Sequence, residues 1–184
     1  LGTTDVTRTF VLGTVSNFHK NIYTYVLKGH IAVNNFNLTN KTRGREVDKK
    51  ARFFLKKYGK NYNHGTGHGI GYFLNVHETP PNISSNSKTK FFERQIMSNE
   101  PGYYKEKHFG VRLENMMMVK KEKNKKYFES LTLVPFDKNG LNTKLLSKNE
   151  VKWINDYHKK VFKTLNKFLG LNEKKYLKDL CSAI

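Results

Sequence analysis

The chain has 184 residues and a formal net charge of +19, from 34 Lys and Arg against 15 Asp and Glu. With 37% hydrophobic residues, among them 13 Phe, 10 Tyr and one Trp, it can build a core, which excludes wholesale disorder. The single cysteine, Cys181, excludes an internal disulfide and fits a reducing compartment, and no apolar run reaches the length of a membrane span.

In chain order, "TTDVTRTFVLGT" (3–14) is β-branched and alternating, which predicts a strand. The sequence opens without an initiator Met and runs straight into this β-prone stretch, so it reads as part of a longer protein, and a missing targeting signal carries no weight. Ser16 is an N-cap candidate for a helix whose apolar stripe is Phe18, Ile22, Val26 and Val33. A second helix is predicted over 45–58 from Val47, Ala51 and Leu55, with Gly59 as its stop.

The glycine-rich segment "NHGTGHGIGYFLNVHETP" (63–80) follows, with a strand predicted in "YFLNVHE" and a loop over 79–90. Strands near 93–98, 109–119 and 126–134, with Pro101-Gly102 as a turn, predict a mostly antiparallel sheet. Ser147 and Glu150 form a capping box for a helix carrying Val151, Ile154, Tyr157, Val161, Leu165 and Phe168. A last helix over about 172–182 carries Tyr176, Leu177 and Leu180.

The positive charge is dispersed through 41–60, 120–126 and 158–168 and is mostly Lys. Base reading and phosphate clamping lean on Arg as well, so these runs read as solvated surface, with neither nucleic acid nor membrane as the expected partner.

The chemistry-bearing residues cluster elsewhere. His64 and His68 are four apart, but the glycines between and around them make a helical metal-binding face implausible. In extended backbone His64, Thr66 and His68 would share one wall, and the glycines would let other backbone or a ligand come close. Three carboxylates sit in apolar surroundings: Asp5 in "TTDVT", Glu100 before Pro-Gly, and Glu114 beside Arg112 in "VRLEN", where Val111, Leu113 and Met116 or Met117 read as core. A buried charge must be paired or bound to metal. Several carboxylates with one imidazole form a hard donor set suited to Mn²⁺ or a similar ion, and such a set can hold two metals for a hydrolytic reaction.

"LGTTDVTRTF", "HGTGHGIGYFLNVHE", "NEPGYY" and "GVRLEN", in that order, resemble the pita-bread metallopeptidases of the aminopeptidase P (X-prolyl aminopeptidase) type. "YVLKGHIAV" fits as well, and "LTLVP" resembles the start of the C-terminal segment of eukaryotic cytosolic-type members. The resemblance implies an α+β chain: residues 1–126 as the C-terminal half of a pita-bread catalytic domain, a curved, mostly antiparallel sheet covered by helices, and 127–184 as a C-terminal extension of a strand and helices. It implies two Mn²⁺ ions, with Asp5, His68, Glu100 and Glu114 as ligands, and Glu100 also as general base toward a hydroxide bridging the metals. His77 would touch the substrate carbonyl or stabilise the tetrahedral intermediate, His64 would line the substrate pocket near the proline, and Arg112 would orient a metal carboxylate.

The implied activity is release of an N-terminal residue from peptides with proline second, by a cytoplasmic homodimer contacting through the C-terminal extension. The family's remaining ligand, an aspartate, would precede Leu1, so the isolated segment is expected to be inactive. The contrasting expectation is a metal-free relative that binds peptides, nucleic acid or chromatin; retention of Asp5, His68, Glu100 and Glu114 favours the enzyme.

Overall fold

The computed structural model describes residues 2–73 and 75–184. Two compact units divide the chain, one of Leu1–Thr7 with Tyr25–Thr132, the other of Arg8–Thr24 with Leu133–Ile184. Helix α1 (Asn17–Asn34) begins in the second and ends in the first.

The first unit is built on a five-stranded antiparallel sheet. In chain order its strands are β1 (Gly67–Ile70), β2 (His77–Ile83) and β3 (Ile96–Asn99), and then β6 (Asn115–Glu122) and β7 (Lys125–Ser130), once the pair β4 (Gly102–Lys105) and β5 (Phe109–Arg112) has been set aside as a separate two-stranded sheet. The large sheet has the spatial order β2-β1-β3-β6-β7. Val33 of α1 and Val47 and Ala51 of helix α2 (Gly44–Lys56) pack with Ile83, Met97, Met117, Val119 and Phe128 from the sheet, forming one buried cluster. The i, i+4 spacing in α2 and the alternation in β6 explain that meeting of faces. Gly59 ends the turn after α2 at φ +65°, where a side chain is disfavoured.

Several predicted strands are displaced. Over 3–14 only Thr7 pairs, through a bridge to Glu114, because alternation prescribes extended backbone but a strand also needs a neighbour along its length. The strand predicted in "YFLNVHE" starts only at His77, and Leu74, inside that prediction, lies outside the described residues. β2 then continues through Pro80 and Pro81 to Ile83, where a loop was expected. Its register against β1 jumps from Glu78 opposite Gly69 to Asn82 opposite His68. Thr79, Pro80 and Pro81 thus sit in a bulge on an edge strand, where the N–H groups that the two prolines lack break no ladder.

The strand predicted over 109–119 is two strands in different sheets. β3 pairs with β6 and β4 with β5, so the chain changes sheet twice, at Glu100-Pro101 and at Leu113-Glu114. Pro101-Gly102 is accordingly a passage between sheets and not a hairpin turn. The strand expected over 126–134 ends at Ser130.

Gly67 and Gly69 are where strand spacing requires glycine. A Cβ on Gly67 would lie 2.2 Å from the Ser98 carbonyl oxygen, and one on Gly69 would lie 2.1 Å from that of Glu78. These glycines therefore admit neighbouring backbone. Gly67→Ala is expected to destabilise the protein by about 2 kcal/mol, read as a lower denaturant midpoint at unchanged slope.

In the second unit, helix α3 (Lys148–Leu165) starts at the expected capping box: Ser147 Oγ accepts from Glu150 N, and Glu150 Oε2 accepts from Ser147 N at 2.8 Å. Ser147→Ala is expected to cost about 1 kcal/mol of stability, measurable in thermal unfolding. Ile154, Tyr157, His158 and Val161 are buried. Phe136 lies among Trp153, Tyr157 and His158 rings, and the Arg8 guanidinium sits 4.2 Å from its centroid. Trp153 stacks on Tyr157 at 5.4 Å. Helix α4 (Leu171–Leu180) buries Leu177 and leaves Tyr176 exposed. Phe168 and Phe18, read as stripe residues, are exposed: Phe168 lies beyond the end of α3 and Phe18 in the first turn of α1.

No helix among the described residues is long and apolar enough to cross a membrane.

Candidate metal centre

The two changes of sheet place the two glutamates. Where a strand leaves one sheet for another, backbone groups lose their ladder partners and need others. Glu100 N donates to the Thr66 carbonyl at 2.8 Å, Glu114 N to the Thr7 carbonyl at 2.9 Å, and Leu113 N to the Pro101 carbonyl at 3.3 Å. From α1, buried His30 contacts the Leu113 carbonyl through Nδ1 at 3.1 Å, while its own carbonyl accepts from Asn99 Nδ2 at 3.0 Å. Neither glutamate's position rests on its own side chain.

β1 brings His68 to the same place. Its ring Nδ1 lies 2.8 Å from the Gly69 carbonyl, which can only accept, so Nδ1 carries a proton and Nε2 is the nitrogen turned to the carboxylates. Nε2 is buried and has no aligned hydrogen-bond partner, yet Asp5 Oδ2 and Glu100 Oε1 lie 3.3 and 3.2 Å away. An imidazole nitrogen facing two carboxylates is an arrangement that a cation completes, a proton on the ring or a metal ion in its place. His68, Glu100 and Glu114 each offer a ligand atom within 4.8 Å of one another, as do Asp5, His68 and His77. The hard, oxygen-rich set thus fits a divalent metal.

The electrostatics follow from that crowding. Burial works against the Glu100 carboxylate, but His68, the Ser98 hydroxyl and Arg112 outweigh it and hold its pKa below the ordinary value. Glu114 is pushed up to about 7, mainly by burial and then by the charges of Glu100 and Asp5, against a hydrogen bond from Thr7 Oγ1 at 2.5 Å. For His68, burial disfavours the charged ring, while Glu100, the Gly69 carbonyl and Asp5 together raise its pKa.

His64, His68, His77, Glu100 and Arg112 line one cavity of about 380 Å³. The His68 and His77 rings are 4.2 Å apart. His64 Nδ1 is 2.7 Å from the Gly65 carbonyl, and its Nε2 is 2.9 Å from the Tyr104 hydroxyl. Arg112 Nε donates to the same hydroxyl at 2.7 Å and lies 4.0 Å from Glu100 Oε2. The polarity of this relay is fixed: Arg112 donates to Tyr104, and Tyr104 donates to His64. Burial, followed by the effects of Arg112 and Arg52, keeps His64 below its usual pKa despite the Gly65 carbonyl and Glu100.

All seven residues singled out in the sequence therefore meet. Thr66 does not share their wall: it is fully buried, donating to Asp48 Oδ1 at 2.6 Å and bonded to the Tyr62 hydroxyl at 2.5 Å. Sequence reasoning missed Tyr104, Thr7 and Ser98, whose hydroxyls hold the charged groups, and Asn82, which lines the cavity with a buried, unpartnered Oδ1. Tyr104 follows Glu100 by four residues and carries no signal of its own; Asn82 was hidden in a segment read as loop.

The family model "Metallopeptidase family M24" matches residues 2–121, and "C-terminal region of peptidase_M24" matches 126–184. The probable Xaa-Pro aminopeptidase P of Arthroderma gypseum is 44% identical over 183 residues, covering 94% of this chain and 29% of that protein. Xaa-Pro aminopeptidase 1 of Dictyostelium discoideum is 41% identical over 169 residues, covering 87% and 27%. The crystal structure of an X-prolyl aminopeptidase from Caenorhabditis elegans, described as a cytosolic enzyme with a di-nuclear active site, superposes with a TM-score of 0.93 at 35% identity, over 100% of this chain and 31% of that one. This chain spans less than a third of the length of these relatives. Its fold is the pita-bread fold expected from the motifs. On two family models that together span nearly all its residues, the chain belongs to metallopeptidase family M24.

Proposed function

We propose that this chain is part of a metal-dependent exopeptidase that releases the N-terminal residue from peptides with proline in second position. The observation that carries the reading is the buried Nε2 of His68 between Asp5 and Glu100, with Glu114 beside them. Asp5, His68, Glu100 and Glu114 hold two divalent ions, of which Mn²⁺ suits the donor set. When bound, the ions supply Lewis acidity and lower the pKa of water.

The chain's own residues do the rest. Glu100, kept ionised by its neighbours, takes a proton from the attacking water. Thr7 holds the Glu114 carboxylate in place and Arg112 that of Glu100. His77 faces the substrate carbonyl, and His64 packs beside the proline, presenting a neutral ring with its Nε2 engaged by Tyr104. Residues 1–126 belong to the catalytic domain and 127–184 to an appended segment that joins two copies in a homodimer. The proline specificity is supported by the relatives' activities, and a cytoplasmic location by the cytosolic Caenorhabditis elegans enzyme. The intact protein's remaining length supplies the further metal-ligating aspartate.

The test uses the intact protein with matched peptides beginning Xaa-Pro and Xaa-Ala. The expected result is residue release from the proline peptide alone, abolished by a chelator and restored by Mn²⁺. Release from neither peptide by folded, Mn²⁺-loaded protein would overturn the assignment in favour of a binding module; equal release from both would remove the proline specificity.

A further inference from the structure

Beside the metal centre, α2 carries a buried ion pair that the reaction itself does not use. Arg52 and Asp48, one helical turn apart, are 6% and 2% exposed, and Arg52 Nε donates to Asp48 Oδ2 at 2.7 Å. A buried charge pair is weak as a device for stability, because desolvation offsets much of the attraction. Its remaining hydrogen bonds show what it holds. Arg52 Nη1 donates to the Tyr62 carbonyl at 2.6 Å and to Asn61 Oδ1 at 2.9 Å, and Nη2 donates to the His64 carbonyl at 2.7 Å. The guanidinium also lies 3.9 Å from the centroid of the Tyr62 ring, and that ring lies 4.9 Å from the His64 ring.

We propose that Arg52 is a positioning residue for substrate binding: its guanidinium fixes the backbone on which His64 stands, so that the imidazole faces the cavity with its Nε2 toward Tyr104. The proposal rests on the reading of His64 as a substrate-side group. Residues 61–65 lie outside the strands: the backbone bonds to neighbouring strands begin at Thr66, whose N–H donates to the Ile83 carbonyl at 2.8 Å, and β1 begins at Gly67. The rigid five-donor fork of arginine can hold Tyr62 O, His64 O and Asn61 together while its charge is met by Asp48. A lysine keeps the charge and loses the fork. Arg52 acts only through His64 and touches neither substrate nor metal ligand.

The test is a double-mutant cycle in the intact protein, comparing Arg52→Lys, His64→Ala and the double variant on an Xaa-Pro peptide. Arg52→Lys is expected to lower kcat/KM roughly tenfold or more, mostly through KM, because loss of orientation at a distance from the reacting atoms is felt in binding. In the His64→Ala background the same change is expected to have no further effect, since the group it positions is gone. Asn61→Ala, which removes a single acceptor of the guanidinium, provides a milder second cycle with a smaller KM rise that also vanishes without His64. Fully additive losses in both cycles would overturn the proposal. So would an Arg52→Lys protein that does not fold, alongside an Asn61→Ala protein with unchanged KM, which would leave the pair a purely structural role. A wild-type protein inactive on the proline peptide is a separate result: it refutes the exopeptidase reading before either cycle begins.

Discussion

Glu100→Gln in the intact protein is expected to lower kcat on an Xaa-Pro peptide by about 10³-fold, with a change in thermal midpoint of no more than a few degrees. The substitution is nearly isosteric. Its carbonyl oxygen can still accept from Ser98 Oγ, which lies 3.1 Å from the present carboxylate. What disappears is the negative charge 3.2 Å from His68 Nε2 and the capacity to take a proton. Those are the two things the proposed reaction asks of this side chain, whereas the backbone at residue 100 is held independently by Thr66. A steady-state assay with the folded variant decides the matter: kcat within a few-fold of wild type would remove Glu100 from the reaction.

Glu114→Gln is expected to stabilise the metal-stripped protein at pH 8 by up to about 3 kcal/mol while weakening its response to Mn²⁺. The carboxyl of Glu114 is 2% exposed as a residue and titrates at about 7 in the fold, against an ordinary 4.5. Between those values the folded protein binds more protons than the unfolded chain. Stability from this group is therefore fully present below about pH 4.5 and is lost as pH rises through about 7. Above that, Glu114 and Glu100 are negative together beside Asp5, and a bound cation adds to the relief that Arg112 gives them. Denaturant midpoints from pH 5 to 8 should fall in the metal-stripped wild type and change much less in the variant. An equal decline in both would show that Glu114 is not the group responsible.

The two effects have one origin. Acidic groups are gathered in a buried place where they repel, and the fold tolerates it because hydroxyls hold the two glutamates in position. Thr7 serves Glu114 and Ser98 serves Glu100, while Arg112 balances both from the cavity wall. Local strain of this kind is expected where a ligand completes the charge balance.

The helices were legible because their signals are local. Val47, Ala51 and Leu55 lie on one face, Gly59 ends the turn, and Ser147 with Glu150 begins α3, each within a single stretch of chain. Strand limits depend on partners distant in sequence, and there the reading slipped. Nothing local says that the apolar run through Leu113 changes sheets, or that Pro80 and Pro81 rest in an edge bulge. Thr66 was assigned to the cavity wall by alternation, but Asp48 and Tyr62 turn it inward. The site itself was legible where chemistry betrays position: carboxylates in apolar runs and histidines among glycines. Supporting residues such as Tyr104 and Arg52 are ordinary in sequence and acquire their roles only through contacts made by folding.

The proposed reaction requires that Asp5, His68, Glu100 and Glu114 together bind metal. The most direct measurement is the metal content of the intact protein after equilibration with Mn²⁺ and removal of free ion, beside His68→Ala. Two ions per wild-type chain, with at least one lost in the variant, is the predicted result. A folded wild-type protein that retains none, or a variant that retains as many as wild type, would contradict it.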